Sequence, residues 1–136
     1  MENQKHTQAI NACIKSCAEC LDACKQLIAL LKSGTATHPS FKELCDKALN
    51  CCKEAISKCH ACVRACDEHL KQCNNTECRA ACELDIQKCW DCIHACEELS
   101  VNLRADTVDS IELCQNVIDA CDVCIKACDH AIEKSC

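Results

Sequence analysis

Small and apolar residues recur along this chain at alternating steps of three and four, and polar residues fill the positions between them. Steps of this size return to one face of an α-helix, so the pattern predicts amphipathic helices with one inward stripe. Four such segments follow one another, at about 3–32, 40–72, 76–102 and 107–134. The sequence therefore predicts four long helices joined by three short connections.

Turn-forming residues mark these connections. Gly34 suits the left-handed position after the first helix, and Ser40 followed by Glu43 has the capping-box spacing for the second. Asn75 or Thr76 is the predicted N-cap of the third helix. One glycine and one proline in 136 residues leave few other places to turn. We expect a single domain over residues 1–136, folded as an all-α, antiparallel up-down-up-down four-helix bundle.

Cysteine occupies the inward stripe of every predicted helix, where leucine or isoleucine would be usual. All but two of the 21 cysteines lie on the stripes; Cys51 is one position off and Cys136 is terminal. One spacing, C-x-x-C-x-x-x-C, occurs once in each helix. Its four copies are Cys17/Cys20/Cys24, Cys59/Cys62/Cys66, Cys89/Cys92/Cys96 and Cys121/Cys124/Cys128. A bundle core lined with thiols is expected.

Disulfides are the first alternative to free thiols. Residues three or four apart on a helix have Cβ atoms about 5–6 Å apart, whereas a disulfide needs about 3.5–4.5 Å. Pairs within a helix therefore cannot close, although bridges between helices remain open. The N-terminus shows no secretory leader, so we expect a cytoplasmic protein whose thiols stay reduced.

Composition argues against several classes of function. The formal net charge of −6 disfavours nucleic acid as a partner. No run approaches the roughly 20 apolar residues of a membrane span. No hydrolase, zinc-protease or phosphate-loop motif is present, so we expect no enzymatic activity.

Antiparallel stacking gives the two ends of the bundle different chemistry. We call one the hydrophobic end, and it holds Leu27, Leu30, Leu31, Phe41, Leu44, Leu99, Val101, Leu103, Val108 and Ile111. We call the other the ligand end, and it holds His6, His69, Cys73, Cys78, Cys82, Asp85, His130 and Cys136. The core is expected to open to solvent at the ligand end, with Asp85 solvated there; the alternative is that Asp85 attracts incoming cations.

Soft thiolate ligands select Cu(I), Zn(II) or iron–sulfur clusters. A zinc ion with four thiolates has a net charge of −2, and several in one narrow core would repel one another. One Cu(I) per thiolate leaves the interior neutral, since each ion replaces a released proton. Charge therefore favours Cu(I), while an iron–sulfur electron-transfer protein and a zinc-thiolate buffer remain alternatives.

The thiol triplet on each of four helices resembles the bacterial four-helix-bundle copper-storage proteins, in particular their cytosolic branch. The resemblance covers essentially the whole chain. It implies storage or detoxification of multiple Cu(I) ions, delivery by a low-molecular-weight thiol or a copper chaperone, and a homotetramer. It also implies ligand roles for the four triplets and for Cys13, Cys45, Cys52, Cys73, Cys78, Cys82 and Cys114.

Three further residues are candidate ligands on weaker patterns. His69 lies on the stripe between Cys66 and Cys73, and a hydrogen-bonded core histidine is the alternative. Cys51 is predicted to reach inward beside Cys52. Cys136 would contribute if the C-terminal tail is ordered. His6 and His130 are expected near the ligand end, in keeping with the family's use of histidine there.

Overall fold

The structure, a computed structural model, describes residues 2–33, 39–103 and 107–135. It contains four α-helices, which are α1 (Glu2–Lys32), α2 (Ser40–Leu70), α3 (Thr76–Asn102) and α4 (Thr107–Lys134). The all-α four-helix bundle is confirmed, and the predicted helix ends agree to within two residues. Gly34, Cys136 and the side chain of Val108 lie outside the described residues, so the predictions that concern them stay predictions.

Each helix packs against two others, so the four helices form a closed ring in the order α1, α2, α3, α4. α1 contacts α2 and α4, and α3 contacts the same two helices. The direction of the helices follows from their thiol contacts: Cys13 of α1 meets Cys59 of α2, while Cys20 of α1 meets the earlier Cys52 of α2. α1 and α2 are therefore antiparallel, and the contacts of Cys89 with Cys124 and of Cys92 with Cys121 show the same for α3 and α4, as predicted for up-down-up-down topology.

The turn between α2 and α3 is held by two side chains. Asn75 is the N-cap of α3, and its Oδ1 accepts a hydrogen bond from the backbone N–H of Cys78 at 2.9 Å. Arg79 donates to the carbonyl oxygens of Leu70 at 2.6 Å and Cys73 at 2.9 Å. These bonds satisfy backbone groups that a helix end leaves free, and they fix the ligand end of the bundle.

The start of α2 differs from the prediction. Ser40 is the first helical residue, and Pro39 occupies the N-cap position with φ −55° and ψ −29°. The pyrrolidine ring holds φ in the helical range, so the chain already has helical geometry one residue earlier than the capping-box pattern requires. The prediction that Ser40 caps this helix is wrong.

Of the described residues predicted for the hydrophobic end, all but Leu30 and Val101 belong to the apolar core or pack against it. Leu27, Leu31 and Leu99 are buried, and Phe41 packs against them as a partly buried residue. Val101 is 78% exposed. It lies two residues after Leu99, which turns its side chain by about 200° around the helix axis. Val101 therefore faces solvent and does not belong to the plug of apolar side chains that seals this end.

The cap of α3 gives a first test of the fold. Asn75→Ala removes the acceptor for the Cys78 N–H and should lower the free energy of unfolding of the metal-free protein by about 1 kcal/mol. Chemical denaturation under reducing conditions measures this. Asn74→Ala, one residue earlier and also exposed, is the matched control and should change stability little. Equal losses in the two variants would contradict the assigned cap.

Candidate metal centre

Thiols line the core along most of its length. None of the twenty described cysteines forms a disulfide; eighteen are buried, and Cys45 and Cys51 are half-buried. The predicted stripe therefore faces inward on all four helices. Because the described cysteines form no disulfides, their sulfur atoms can act as metal ligands.

A quartet of thiols, one from each helix, lies near the middle of the bundle. Its members are Cys13, Cys59, Cys89 and Cys124, whose Sγ atoms all lie within 4.8 Å of one another. From the Cys13 Sγ, the distances are 3.6 Å to Cys59, 3.9 Å to Cys89 and 4.0 Å to Cys124. Four sulfurs at this spacing surround a point that a single metal ion can occupy.

The quartets overlap. Cys13 and Cys89 form a second quartet with Cys62 and Cys128. Cys59 and Cys124 form a third with Cys17 and Cys92, which again draws one thiol from each helix. Neighbouring sites therefore share sulfurs, and adjacent sites can be filled together only if thiolates bridge two ions.

The array continues toward the hydrophobic end without a break. The Cys92 Sγ is 3.8 Å from that of Cys17 and 3.6 Å from that of Cys121. Further along, the Cys20 Sγ lies 3.6 Å from that of Cys52 and 3.9 Å from that of Cys96. An ion that enters the array could pass from one set of thiols to the next in short steps.

Two histidines complete the array at the ligand end. The rings of His6 and His69 are stacked, with centroids 4.3 Å apart and planes inclined by 7°. The His6 Nε2 is 3.4 Å from the Cys66 Sγ and 3.9 Å from the Cys82 Sγ, and these three residues form a further candidate metal site. The His69 Nε2 is 3.1 Å from the Cys78 Sγ. The structure thus brings both histidines to the thiols, as their stripe positions predict.

The ligand end is covered, whereas an opening to solvent was expected. Cys78 and Cys82 are fully buried, and His6 is only 2% exposed. The stacked rings of His6 and His69 lie between these thiols and a surface cavity of about 380 Å³. His130 is exposed and takes no part in the described histidine–thiol contacts, because it follows the stripe residue Cys128 by two positions.

Asp85 contradicts the expectation that it is solvated. Its side chain is fully buried in the core. Its Oδ1 accepts from the thiols of Cys128 at 2.9 Å and Cys89 at 3.7 Å, and its Oδ2 accepts from those of Cys62 at 3.5 Å and Cys66 at 3.7 Å. The spacing along the stripe predicts this burial, since Asp85 lies three residues after Cys82 and four before Cys89. The carboxylate joins the histidine–thiol site to the central quartets.

Two thiols near the ligand end, those of Cys66 and Cys82, have raised pKa values and stay protonated without metal. The pKa of Cys66 is raised first by its contact with Cys62 and then by burial. The pKa of Cys82 is raised by its contact with Cys66 and by burial, against a lowering contact with His6. Neighbouring thiolates in a dry interior would repel one another. Cations must therefore enter as protons leave.

Three residues off the stripe, Cys51, His60 and His94, lie outside the thiol array. Cys51 is half-buried and lines a small surface cavity of about 250 Å³, so it does not reach fully inward beside Cys52. His60 and His94, each one or two residues after a stripe cysteine, lie off the core. They flank the half-exposed Trp90, with ring centroids 5.2 Å and 6.0 Å from it.

Comparison of the chain with protein-family models, curated proteins and solved structures finds no match. None of the described helices combines the length and apolar character that a bilayer crossing requires. The chemistry of the site therefore rests on its own donors, which are many sulfurs, two imidazoles and one carboxylate. Such a set fits soft, thiophilic cations and has far too few oxygens for magnesium or calcium.

The buried carboxylate makes stability depend on pH. Burial raises the pKa of Asp85 from 3.8 to about 6, so between about pH 4 and pH 6 the folded protein binds a proton that the unfolded chain releases. The stability contributed by this residue therefore falls as pH rises through that window. Because asparagine does not titrate, Asp85→Asn should gain stability relative to the parent protein between about pH 4 and pH 7, by about 3 kcal/mol.

Denaturation of the metal-free, reduced proteins at a series of pH values measures this gain. A constant offset between the two proteins would report only the altered hydrogen bonds, so the informative quantity is its change with pH. Asp67→Asn, at an exposed position on α2, is the control. Parallel pH profiles for Asp85→Asn and the parent protein would contradict the buried, ionisable carboxylate.

Proposed function

We propose that this protein stores several Cu(I) ions along the axis of its bundle, as a reserve or to prevent copper toxicity. The observation that carries the proposal is the set of overlapping quartets of buried free thiols, in which Cys13 and Cys89 belong to two quartets at once. Cu(I) accepts two or three sulfurs and shares thiolates readily. A continuous array with shared ligands suits many such ions better than it suits separate closed sites.

Charge supports the same choice. Each Cu(I) that replaces one thiol proton leaves the buried core at its original charge, so further ions can follow. A zinc ion with four thiolates adds a net charge of −2, and a second such site a few ångströms away would be repelled in a dry interior. The carboxylate of Asp85, already held among four thiols, would add to that repulsion.

A zinc-thiolate buffer is the second candidate, and the spacing of the sulfur atoms in the central quartet favours it. Four sulfurs around zinc at about 2.3 Å form a tetrahedron with edges of about 3.8 Å. The central quartet has Sγ separations of 3.6 Å, 3.7 Å, 3.9 Å and 4.0 Å. A single zinc ion would fit there, but shared sulfurs prevent all neighbouring quartets from being filled in the same way.

The remaining parts of the proposal follow from the resemblance described above. They are a cytoplasmic location, a homotetramer, and delivery of copper by a small thiol or a chaperone. We also propose a role without catalysis, since storage requires ligand exchange alone.

Metal capacity distinguishes the candidates. Anaerobic titration of the reduced protein with Cu(I), against a competing chelator, should reach a capacity approaching one ion per core thiol. Zinc should saturate at about one ion per four thiols. Saturation at only a few Cu(I) ions would sink the storage proposal, and a brown protein with bound sulfide would favour the iron–sulfur alternative.

A pair of matched variants locates the stored ions. Cys13→Ser combined with Cys89→Ser removes two thiols shared by two quartets and should lower the Cu(I) capacity by several ions. Cys45→Ser combined with Cys51→Ser removes two half-buried thiols and should change it less. Equal losses in the two variants would show that the axial array is not the storage site.

A further inference from the structure

The cavity outside the two stacked histidines has an uneven distribution of charge. Its lining includes Lys5, Arg64 and Glu68 together with His6 and His69. Glu68 is paired with the ammonium of Lys71 at 3.1 Å. Within the described part of the chain, Lys5 and Arg64 have no ion-pair partner. On a protein with a formal net charge of −6, this cavity therefore offers two uncommitted cations directly above the histidine–thiol site.

His6 gives a second, independent sign of a missing ligand. Its ring lines the cavity while its Nε2 contacts the core thiols. Its Nδ1 is buried and has no hydrogen-bond partner among the described residues. An unsatisfied buried nitrogen costs stability, typically about 1–3 kcal/mol. A polar group that reaches this nitrogen would supply the partner.

We propose that this cavity binds a low-molecular-weight thiol that carries carboxylates, such as a cysteine-containing tripeptide, and that this molecule delivers the stored Cu(I). The inference rests on the proposed function and names the partner of the ligand end. The planar guanidinium of Arg64 suits a carboxylate through two parallel hydrogen bonds, and Lys5 adds a second positive charge.

The size of the cavity separates a small carrier from a protein donor. A volume of about 380 Å³ lies within the range of small-molecule sites, about 300–1,000 Å³. A copper chaperone would instead need a docking face of about 800 Å² on this protein, far more than the few residues that line the cavity. The geometry therefore favours a carrier of tripeptide size.

Delivery would be a balanced ligand exchange. A copper–sulfur bond to the carrier breaks as a bond to Cys66 or Cys82 forms, and the His6 Nε2 between these two sulfurs is placed to hold the ion in transit. The proton displaced from the protein thiol passes to the departing carrier thiolate. Copper stays in the +1 state throughout, so no oxidant or reductant is required.

Binding without metal is the direct test. S-methylglutathione keeps both carboxylates of glutathione but lacks its thiol, so it probes the cavity alone. Titrated into the metal-free protein, it should cause saturable NMR shifts at His6, Arg64 and His69. The double variant Lys5→Gln with Arg64→Gln should abolish them. Lys25→Gln with Lys53→Gln, which makes the same charge change at exposed sites, should preserve them.

Loading kinetics give the second readout. At low ionic strength, the Lys5/Arg64 variant should take up Cu(I) from its glutathione complex about tenfold more slowly than the parent, because electrostatic attraction to the cavity is lost. Uptake from the Cu(I)–acetonitrile complex should not be slowed in this variant, since that donor is a cation and the positive cavity does not attract it. The final capacity should be the same with both donors.

Each outcome separates this inference from the storage proposal. Absent or unsaturable shifts, or equal slowing with both donors, would overturn the small-carrier site while leaving the Cu(I) capacity intact. A low capacity accompanied by clear S-methylglutathione binding would overturn storage and leave an anion site whose purpose is not copper delivery. The inference would also be overturned if the Lys25/Lys53 variant loaded as slowly as the Lys5/Arg64 variant. The rate would then depend on the net charge of the protein and not on the cavity.

Discussion

Thiols of opposite helices meet across the axis of this bundle, at 3.8 Å between the sulfurs of Cys17 and Cys92. Such contact requires small side chains at every inward position, and cysteine is smaller than the leucine that would fill a comparable core. Leu27, Leu31 and Leu99 are buried at the hydrophobic end, and Ile10, Ile93 and Val117 are buried farther along the core. These apolar side chains supply hydrocarbon burial beside the thiols. Metal binding would then add stability by mass action.

Electrostatics controls what such a core can accept. Protonated thiols are neutral and tolerate burial, but a row of thiolates without cations would not. Asp85 introduces one ionisable group deep in the array, where four thiols donate to it. Its carboxylate lies between the histidine–thiol site and the central quartets, where it attracts cations that move inward. The stacked histidines cover the start of this inward path.

Helical periodicity accounts for what the sequence predicted well. The four helices and their inward cysteines follow from steps of three and four, because these steps determine which side chains share a face. Asn75 was identifiable as a cap from its residue type and place. The failures concern features that periodicity does not encode. Pro39 advanced the start of α2 through its fixed φ, and Val101 was assigned to the plug although its angular position faces solvent.

Other features depend on which residues of distant segments meet. His6 and His69 are 63 positions apart, and nothing in either segment alone shows that their rings stack. Asp85 was expected at the surface because carboxylates usually are, yet its stripe position, with cysteines three residues before and four after, placed it inside. Residue type and residue position favoured different environments for Asp85, and position prevailed because four thiols on α2, α3 and α4 donate to its carboxylate.

Anomalous diffraction at the copper edge from crystals of the Cu(I)-loaded protein tests the central claim most directly. The account predicts a row of copper peaks along the bundle axis, between the Cys13/Cys59/Cys89/Cys124 quartet and its neighbours, with thiolates shared by adjacent ions. Peaks confined to the outer surface, or an axis whose sulfurs are joined as cystines with no copper between them, would contradict it.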